Sequence, residues 1–389
     1  PHTQQPHQTH LEGLEQPHPV EKEILCARKQ SFGGILTLMP WHFQKNSTES
    51  FLQYNCDFYE LRDDLLDLSQ INWQEIPQEK RLLSFRHIRN QKRFNLPFQT
   101  AKTDWALELG PCTHSEISII SSHDYLPSEN LSQFLIRLEK NALSSQHLKA
   151  APIIRTYSEL QELFRWQELD PENRSILPRS SGDVKGKWTW ARLYLKGRQA
   201  MNFWRDGEGS ASDQPTLFQW LSTPKKVHKF AALLGDPVMQ SRTPVEQSTF
   251  FEKFKVPIWA ILISEAEFGL ATQVLIEKGL FAAAITAPLK KQAFKLAQWT
   301  SPDASELVSV NTLAILDKRS RDLIRGHNTD LRGLSELLKK ASELLQIPVE
   351  KMRAVIWGGG GTLSTIKKLI PQAVELSVRS RMPRNPLEE

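Results

Sequence analysis

Eight short apolar runs follow one another between Gly34 and Trp204, and no other feature of the chain constrains its fold as much. They are Gly34–Leu38, Asp57–Arg62, Arg81–Phe85, Trp105–Leu109, Ile117–Ile120, His147–Ala150, Ser175–Pro178 and Ala200–Trp204. Each has the length of a buried strand rather than of a helix. Helical patterns from Leu131 to Leu143 and from Tyr157 to Trp166 lie between some of them. Strands alternating with crossovers build parallel sheets, and eight of them predict a (β/α)8 barrel over residues 33–224. The span is compact against the ~250 residues typical of such barrels.

Composition narrows the setting. The 389 residues are 40% hydrophobic and 24% charged, as expected of a folded α/β chain. Mean hydropathy is −0.42, and no apolar run approaches the ~18 residues that a membrane span needs. A net charge of +5 suits anionic small molecules, and no basic run calls for nucleic acid. Cys26, Cys56 and Cys112 are too few for a disulfide framework and lack metal-ligand spacing, which predicts a reducing, cytoplasmic compartment. Residues 1–32 read as a disordered tail and lead-in, rich in Pro, Gln and His at first. Its histidines His2, His7, His10 and His18 read as solvated, and no metal site is expected. The tail lacks the features of a secretory or transit peptide.

Polar side chains at strand ends are where barrels place catalytic groups, and His123, Lys149, Glu60 and Arg62 stand there. Each alone also reads as structure: a capping histidine, a solvated lysine, an ion pair. The ordered set is more telling. Glu60-Leu61-Arg62-Asp63, Ser84-Phe85-Arg86, Ser122-His123-Asp124, Leu148-Lys149-Ala150, Ala191-Arg192-Leu193 and the stretch from Ser210 to Thr216 together resemble type I 3-dehydroquinate dehydratases. The resemblance covers about Gly33 to Ser222. It implies that Lys149 forms a Schiff base with the substrate ketone and that His123 is the acid and base. It further implies that Arg192 grips the substrate carboxylate, that Ser210 and Gln214 lie on a loop over the substrate, and that Glu60, Arg62 and Arg86 bind its hydroxyls. The chemistry needs a lysine that gives up its proton, which desolvation and neighbouring arginines promote. One departure matters. The family's histidine-orienting glutamate corresponds here to Asn90, which keeps hydrogen bonding but not charge and predicts slower chemistry.

Residues 225–345 read as a second unit. It has a strand (Ala231 to Leu234), a Gly-Asp-Pro turn, a helix (Pro244 to Phe254) and a closing helix from Asp330 to Leu345. Gly235-Asp236-Pro237 leading to Ser241-Arg242-Thr243-Pro244, then Ile285-Thr286-Ala287-Pro288-Leu289-Lys290, Ser309-Val310-Asn311-Thr312 and Gly326-His327-Asn328-Thr329-Asp330 resemble shikimate dehydrogenases. That resemblance runs from about Lys229 to Arg381. It implies that Ser241 and Thr243 hold a carboxylate, that Lys290 and Asp330 pair at the reacting carbon, and that Thr286 and Asn311 bind substrate hydroxyls. A helix cap and a surface ion pair are the plainer readings of the same residues. Gln247-Ser248 stands where the family carries His-Asn, and Ala284 where it carries Asn, which predicts weaker binding.

Residues 346–389 open a βαβ unit: strand Ala354 to Trp357, a glycine run, helix Thr362 to Ile370 and strand Ala373 to Val378. Gly358, Gly359, Gly360 and Gly361 would let a pyrophosphate approach the backbone at a helix start. Arg379 and Arg381 stand where an NAD enzyme carries an acid, so a 2′-phosphate, hence NADP, is expected. Two strands are an incomplete nucleotide domain, and the chain's start without Met and its abrupt end read as fragment boundaries.

The two resemblances together imply a bifunctional shikimate-pathway enzyme, a fusion of the plant or chlamydia-like kind. It would dehydrate 3-dehydroquinate to 3-dehydroshikimate and reduce that with NADPH to shikimate. Its partners would be those small molecules, with neither nucleic acid nor membrane. The rival expectations are a degenerate or truncated fragment, with a weak dehydratase and no working dehydrogenase, and a quinate-specific second half.

Overall fold

The computed structural model describes residues 33–43, 54–87, 102–111, 116–182, 184–316, 323–357, 363–370 and 375–379. The first unit is one eight-stranded sheet. Its strands are β1 (Ile35–Thr37), β2 (Phe58–Arg62), β3 (Arg81–Phe85), β4 (Lys102–Ala106), β5 (Ile119–Ser122), β6 (His147–Ala150), β7 (Arg174–Ile176) and β8 (Phe203–Trp204). All pairings are parallel, and the order is β7-β6-β5-β4-β3-β2-β1-β8. Sequence neighbours are thus sheet neighbours, and β8 returns to β1. The strands β7 and β8 do not pair. Side chains bridge them instead. The Ile176 N–H donates to Gln199 Oε1 at 2.9 Å, and Gln199 Nε2 donates to the carbonyls of Ile176 (3.1 Å) and Met201 (2.8 Å).

Alternation along the strands sorts the side chains. Leu36, Tyr59, Leu61, Leu83, Phe85, Trp105, Ile120 and Ala150 face outward into the main core. Their neighbours Ile35, Leu82, Ile119 and Phe203 form a separate small apolar cluster with Ala151, Leu177 and Met201. On the same inner face follow the buried polar residues Thr37, Glu60, Ser84, Asp104, Ser121 and Lys149. Period two therefore makes an apolar floor with a polar layer above it.

The crossovers depart from expectation. Among the described residues, α-helices follow only the later strands: α1 (Leu131–Lys140), α2 (Tyr157–Glu168), α3 (Thr189–Tyr194) and α4 (Leu217–Ser222). The described residues of the earlier connections hold short 3-10 turns, at Pro40–Phe43, Trp73–Glu75, Gln78–Lys80 and Leu107–Leu109. The eightfold strand–helix alternation is therefore not what the described residues form. The helices that do form have clear starts. Asn130, Thr156 and Thr216 each cap a helix in a reciprocal box with Gln133, Glu159 and Gln219. The fourth strand also sits earlier than its apolar run suggested. Leu107–Leu109 is a 3-10 turn, and the strand is Lys102–Ala106, with the charged Asp104 on its inner face.

The second unit has β9 (Phe230–Gly235), α5 (Thr243–Glu252), β10 (Ile258–Leu262), α6 (Phe268–Glu277), β11 (Leu280–Ile285), α7 (Lys290–Leu296), β12 (Trp299–Thr300), α8 (Pro302–Leu307), β13 (Thr312–Ile315), β14 (Ile324–His327) and α9 (Asp330–Leu345). The sheet order is β10-β9-β11-β13-β14-β12. β10, β9 and β11 are parallel, and β13 runs antiparallel to both β11 and β14. One core continues across the two units. Trp190 of α3 stacks on Phe230 of β9 at 6.2 Å, and Phe230 stacks on Trp259 at 4.7 Å. Lys187 reaches Glu267 at 2.8 Å.

Last come β15 (Arg353–Trp357), α10 (Leu363–Leu369) and β16 (Glu375–Arg379). β15 and β16 pair in parallel, with Trp357 opposite Arg379. No helix among the described residues is long and apolar enough to cross a membrane.

Candidate functional site

Eight expected site residues line one cavity of about 230 Å³ in the first unit: Glu60, Arg62, Arg86, His123, Lys149, Arg192, Ser210 and Gln214. They come from β2, from the ends of β3 and β5, from β6, from α3 and from the loop after β8. Lys149 is 2% exposed. Its Nζ lies 2.5 Å from Asp104 Oδ2, 3.6 Å from Glu60 Oε1 and 4.9 Å from the Phe203 ring centre. Arg86 lies 2.5 Å from the same Asp104 oxygen, and its Nη1 donates to Ser121 Oγ at 3.0 Å. Glu60 accepts from Thr37 (2.7 Å) and Ser84 (2.8 Å).

Burial pushes Asp104 and Glu60 toward the neutral acid, but the adjacent cations outweigh it. Arg86 and Lys149 hold Asp104, and Lys149, Arg62 and Arg86 hold Glu60, below the usual carboxylate range. Lys149 moves the other way. Burial, helped by Arg86, lowers its pKa despite Asp104 and Glu60. Among the described residues, three buried atoms of this cluster have no hydrogen-bond partner: Asp104 Oδ1, Arg86 Nε and His123 Nδ1.

Residue 90 lies outside the described residues, and a different carboxylate stands beside the histidine. Glu108 Oε1 accepts from Ser122 Oγ (2.9 Å) and from the N–H groups of His123 (2.6 Å) and Asp124 (3.0 Å). Its Oε2 lies 3.6 Å from His123 Nδ1, within ion-pair reach but too long for a hydrogen bond. Burial and the cation Arg86 lower the His123 pKa to about 4 against the pull of Glu108, so the ring is neutral at pH 7. Sequence reasoning missed both Asp104 and Glu108. The signal for Glu108 was its place just past the fourth strand.

Arg192 is 5% exposed, and its Nε and Nη2 donate to the carbonyls of Pro178 (3.0 Å) and Leu177 (3.3 Å). Part of its fork is thus already committed. Burial lowers its pKa to about 10, against the pull of Asp213. Arg62 is held by Asp64 through two bonds, of 3.0 and 2.7 Å. Gln214 reaches Thr37 at 3.4 Å, and Ser210 reaches Gln214 at 3.4 Å. A Cβ at Gly209 would meet Arg205 Cβ at 2.9 Å and Gln214 Oε1 at 2.3 Å, so a larger residue there would have to shift both side chains.

In the second unit, the expected residues gather at one edge of the sheet. Leu234 stands opposite Ile285, and the chains leaving β9 and β11 carry Ser241, Thr243, Thr286 and Lys290. A Cβ at Gly235 would lie 2.2 Å from Thr286 Cγ2, which accounts for the glycine of the turn. Lys290 Nζ lies 2.6 Å from Asp330 Oδ2. Asn311 Nδ2 donates to Asp330 Oδ1 (2.6 Å) and Thr329 Oγ1 (3.0 Å). Asn328 Oδ1 accepts from the N–H of Asp330, the first residue of α9, at 3.1 Å. Ser241 Oγ donates to Thr243 Oγ1 at 3.2 Å and accepts from the Thr243 N–H at 3.3 Å. Ser248 turns its hydroxyl back to Val245, and Ala284 lies within β11. In the third region, Arg379 ends β16, whereas Gly358, Gly359, Gly360, Gly361 and Arg381 lie outside the described residues.

Comparison with known proteins bears on the second unit. Residues 233–313 match the model for the shikimate dehydrogenase substrate binding domain. The shikimate dehydrogenase (NADP(+)) of Vesicomyosocius okutanii is 32% identical over 160 residues, 40% of this chain and 57% of the relative. That of Pyrococcus abyssi is 27% identical over 155 residues, 40% of this chain and 55% of the relative. This chain spans little more than half the length of these relatives. Among solved structures, Shikimate Dehydrogenase 1 of Peptoclostridium difficile is 25% identical, with a TM-score of 0.34 over 40% of this chain and 57% of that one. The dehydroquinate dehydratase and shikimate dehydrogenase of S. pombe AroM is 16% identical, with a TM-score of 0.35 over 93% of this chain and 76% of that one. The second unit thus carries a segment similar to the substrate-binding domain of shikimate dehydrogenases.

Proposed function

We propose that the chain is a two-site enzyme of the shikimate pathway, with a first unit of (β/α)8 type that dehydrates 3-dehydroquinate and a second that reduces 3-dehydroshikimate to shikimate. The observation that carries the first half is the convergence of Lys149, His123 and four arginines, Arg62, Arg86, Arg179 and Arg192, on one cavity. Lys149 Nζ, as the free amine, bonds to the ketone carbon, and the carbonyl oxygen leaves as water. The iminium draws electrons from the neighbouring carbon, and neutral His123 takes a proton there. It returns a proton to the departing hydroxyl, which leaves as water. Hydrolysis of the iminium frees the lysine and the product. Arg192 meets the substrate carboxylate with the donors its carbonyl contacts leave over, and Gln214 and Ser210 close the loop side. Glu60, Arg62 and Arg86 meet the hydroxyls.

In the second half, Ser241 and Thr243 bind the carboxylate, and Thr286 and Asn311 bind hydroxyls. Lys290, oriented by Asp330, gives a proton to the carbonyl oxygen. The curated relatives are named for NADP(+), and the fit here is topological. The segments after β15 and β16 leave the same edge of a parallel pair, with Trp357 opposite Arg379. Gly358 to Gly361 would hold the pyrophosphate, and Arg379 and Arg381 the 2′-phosphate. NADPH supplies the hydride when bound.

The test of the first half is borohydride reduction in the presence of 3-dehydroquinate. A covalent adduct on Lys149 supports the dehydratase, and its absence sinks it. For the second half, shikimate binding by calorimetry and NADPH oxidation with 3-dehydroshikimate are the measurements. Absence of both sinks that half.

A further inference from the structure

The carboxylate nearest Lys149 is Asp104, which none of the expected roles includes. It is fully buried, at 0% exposure, on the inner face of β4, two strands away from β6. A single oxygen, Oδ2, receives both Lys149 Nζ and Arg86 Nη2 at 2.5 Å. Ser84 Oγ stands 3.5 Å from the same oxygen, and Oδ1 has no donor. Glu60 is more distant, at 3.6 Å, and its two oxygens already accept from Thr37 and Ser84. The ring of Phe203 covers the ammonium from β8. The charged and titratable groups around Lys149 are therefore Asp104 on β4, Glu60 on β2, Arg86 after β3, His123 after β5 and His147 on its own strand.

We infer that Asp104 is the positioning counter-ion of Lys149, holding the ammonium before reaction and the iminium cation after it. The inference rests on the reading of Lys149 as an amine that attacks carbonyls. In the net step, an ammonium and a carbonyl give a protonated imine and water, so one positive charge stays at Nζ from start to finish. The C=O bond is replaced by C=N, and the oxygen leaves with two of the three ammonium protons. Only the free amine in between lacks the charge that Asp104 pairs. Asp104 therefore steadies both ends of the step and delays the amine in the middle. It acts through Lys149 and does not line the cavity itself.

The test uses a small probe so that the amine is examined apart from the proposed substrate. The full chain is incubated with glyoxylate and cyanoborohydride across a pH series, and carboxymethylation of Lys149 is followed by peptide mass mapping. Asp104→Asn lowers the pH of half-maximal labelling by about one unit or more, which speeds labelling ~10-fold below the wild-type midpoint. Asp104→Glu returns the midpoint toward wild type. An unchanged midpoint in a folded Asp104→Asn chain overturns the inference, as does a wild-type Lys149 that glyoxylate never labels. Should Asn at 104 prevent folding, Glu60→Gln decides. A midpoint within about half a unit of wild type supports Asp104, and a fall of a full unit assigns the role to Glu60. Glyoxylate labelling without any 3-dehydroquinate adduct would sink the dehydratase reading and leave this one standing.

Discussion

Each unit sets a lysine against an aspartate at nearly the same distance, and the surroundings make the two pairs different objects. Lys149 and Asp104 are 2.5 Å apart, with side chains 3% and 0% exposed. Lys290 and Asp330 are 2.6 Å apart, with side chains 12% and 26% exposed. The first pair sits on the inner face of a curled sheet, shares its carboxylate with an arginine and has little water to screen it. The second lies at a sheet edge where strands end, and an amide, Asn311, completes it. Distance alone therefore says little about an ion pair. Burial decides whether the lysine can be pushed toward a free amine.

Removing one partner should separate the pairs most. Lys149→Met leaves the buried Asp104 with Arg86 as its one adjacent cation, and we expect a loss of roughly 3 kcal/mol or more in urea unfolding, with no borohydride adduct. A loss under about 1 kcal/mol would erase the contrast with the edge pair. Acid is the second lever. Burial holds His123 near pKa 4 in the folded chain, while its unfolded value is about 6.5. Between those values the unfolded chain takes the proton and the folded chain does not, so stability falls as pH drops from 6.5 to 4. His123 accounts for on the order of 2–3 kcal/mol of that fall. His147, lowered to about 4 chiefly by burial, adds to the same slope. Urea midpoints at pH 7 and pH 4 check this, and His123→Gln should flatten the difference.

At the sheet edge the effects shrink. Lys290→Met should cost about 1 kcal/mol and weaken shikimate binding about tenfold by calorimetry. Smallest of all is the Arg242–Glu246 pair on α5, 3.5 Å apart with side chains 74% and 61% exposed. Arg242→Ala should change stability by no more than about 0.5 kcal/mol, and less in high salt. A larger cost there would mean that exposure is not what ranks these pairs.

The strand order was legible because seven of the eight runs hold a strand, with ends shifted by no more than three residues. The fourth run misled because its inward position is a charge. Asp104 pairs with a lysine two strands away, a relation that no local pattern carries. Glu108 was hidden because Leu107-Glu108-Leu109 alternates like a strand but folds as a turn. The described parts of the early crossovers are 3-10 turns, which have no period to read. In the second unit the ordered motifs sufficed. Lys290, Asn311 and Asp330 lie far apart in sequence, yet one network joins them. Asn328 and Thr329, which hold that network in place, drew no separate notice because they were read as part of a motif.

The bridge made by Gln199 has a consequence for how these molecules behave in company. β7 would otherwise offer free N–H and C=O groups along one side, a template on which a strand of another chain could add. By giving Ile176 both an acceptor and a donor, one side-chain amide occupies that template at the end of β7. Gln199 thus leaves the backbone of Ile176 nothing to offer a foreign strand.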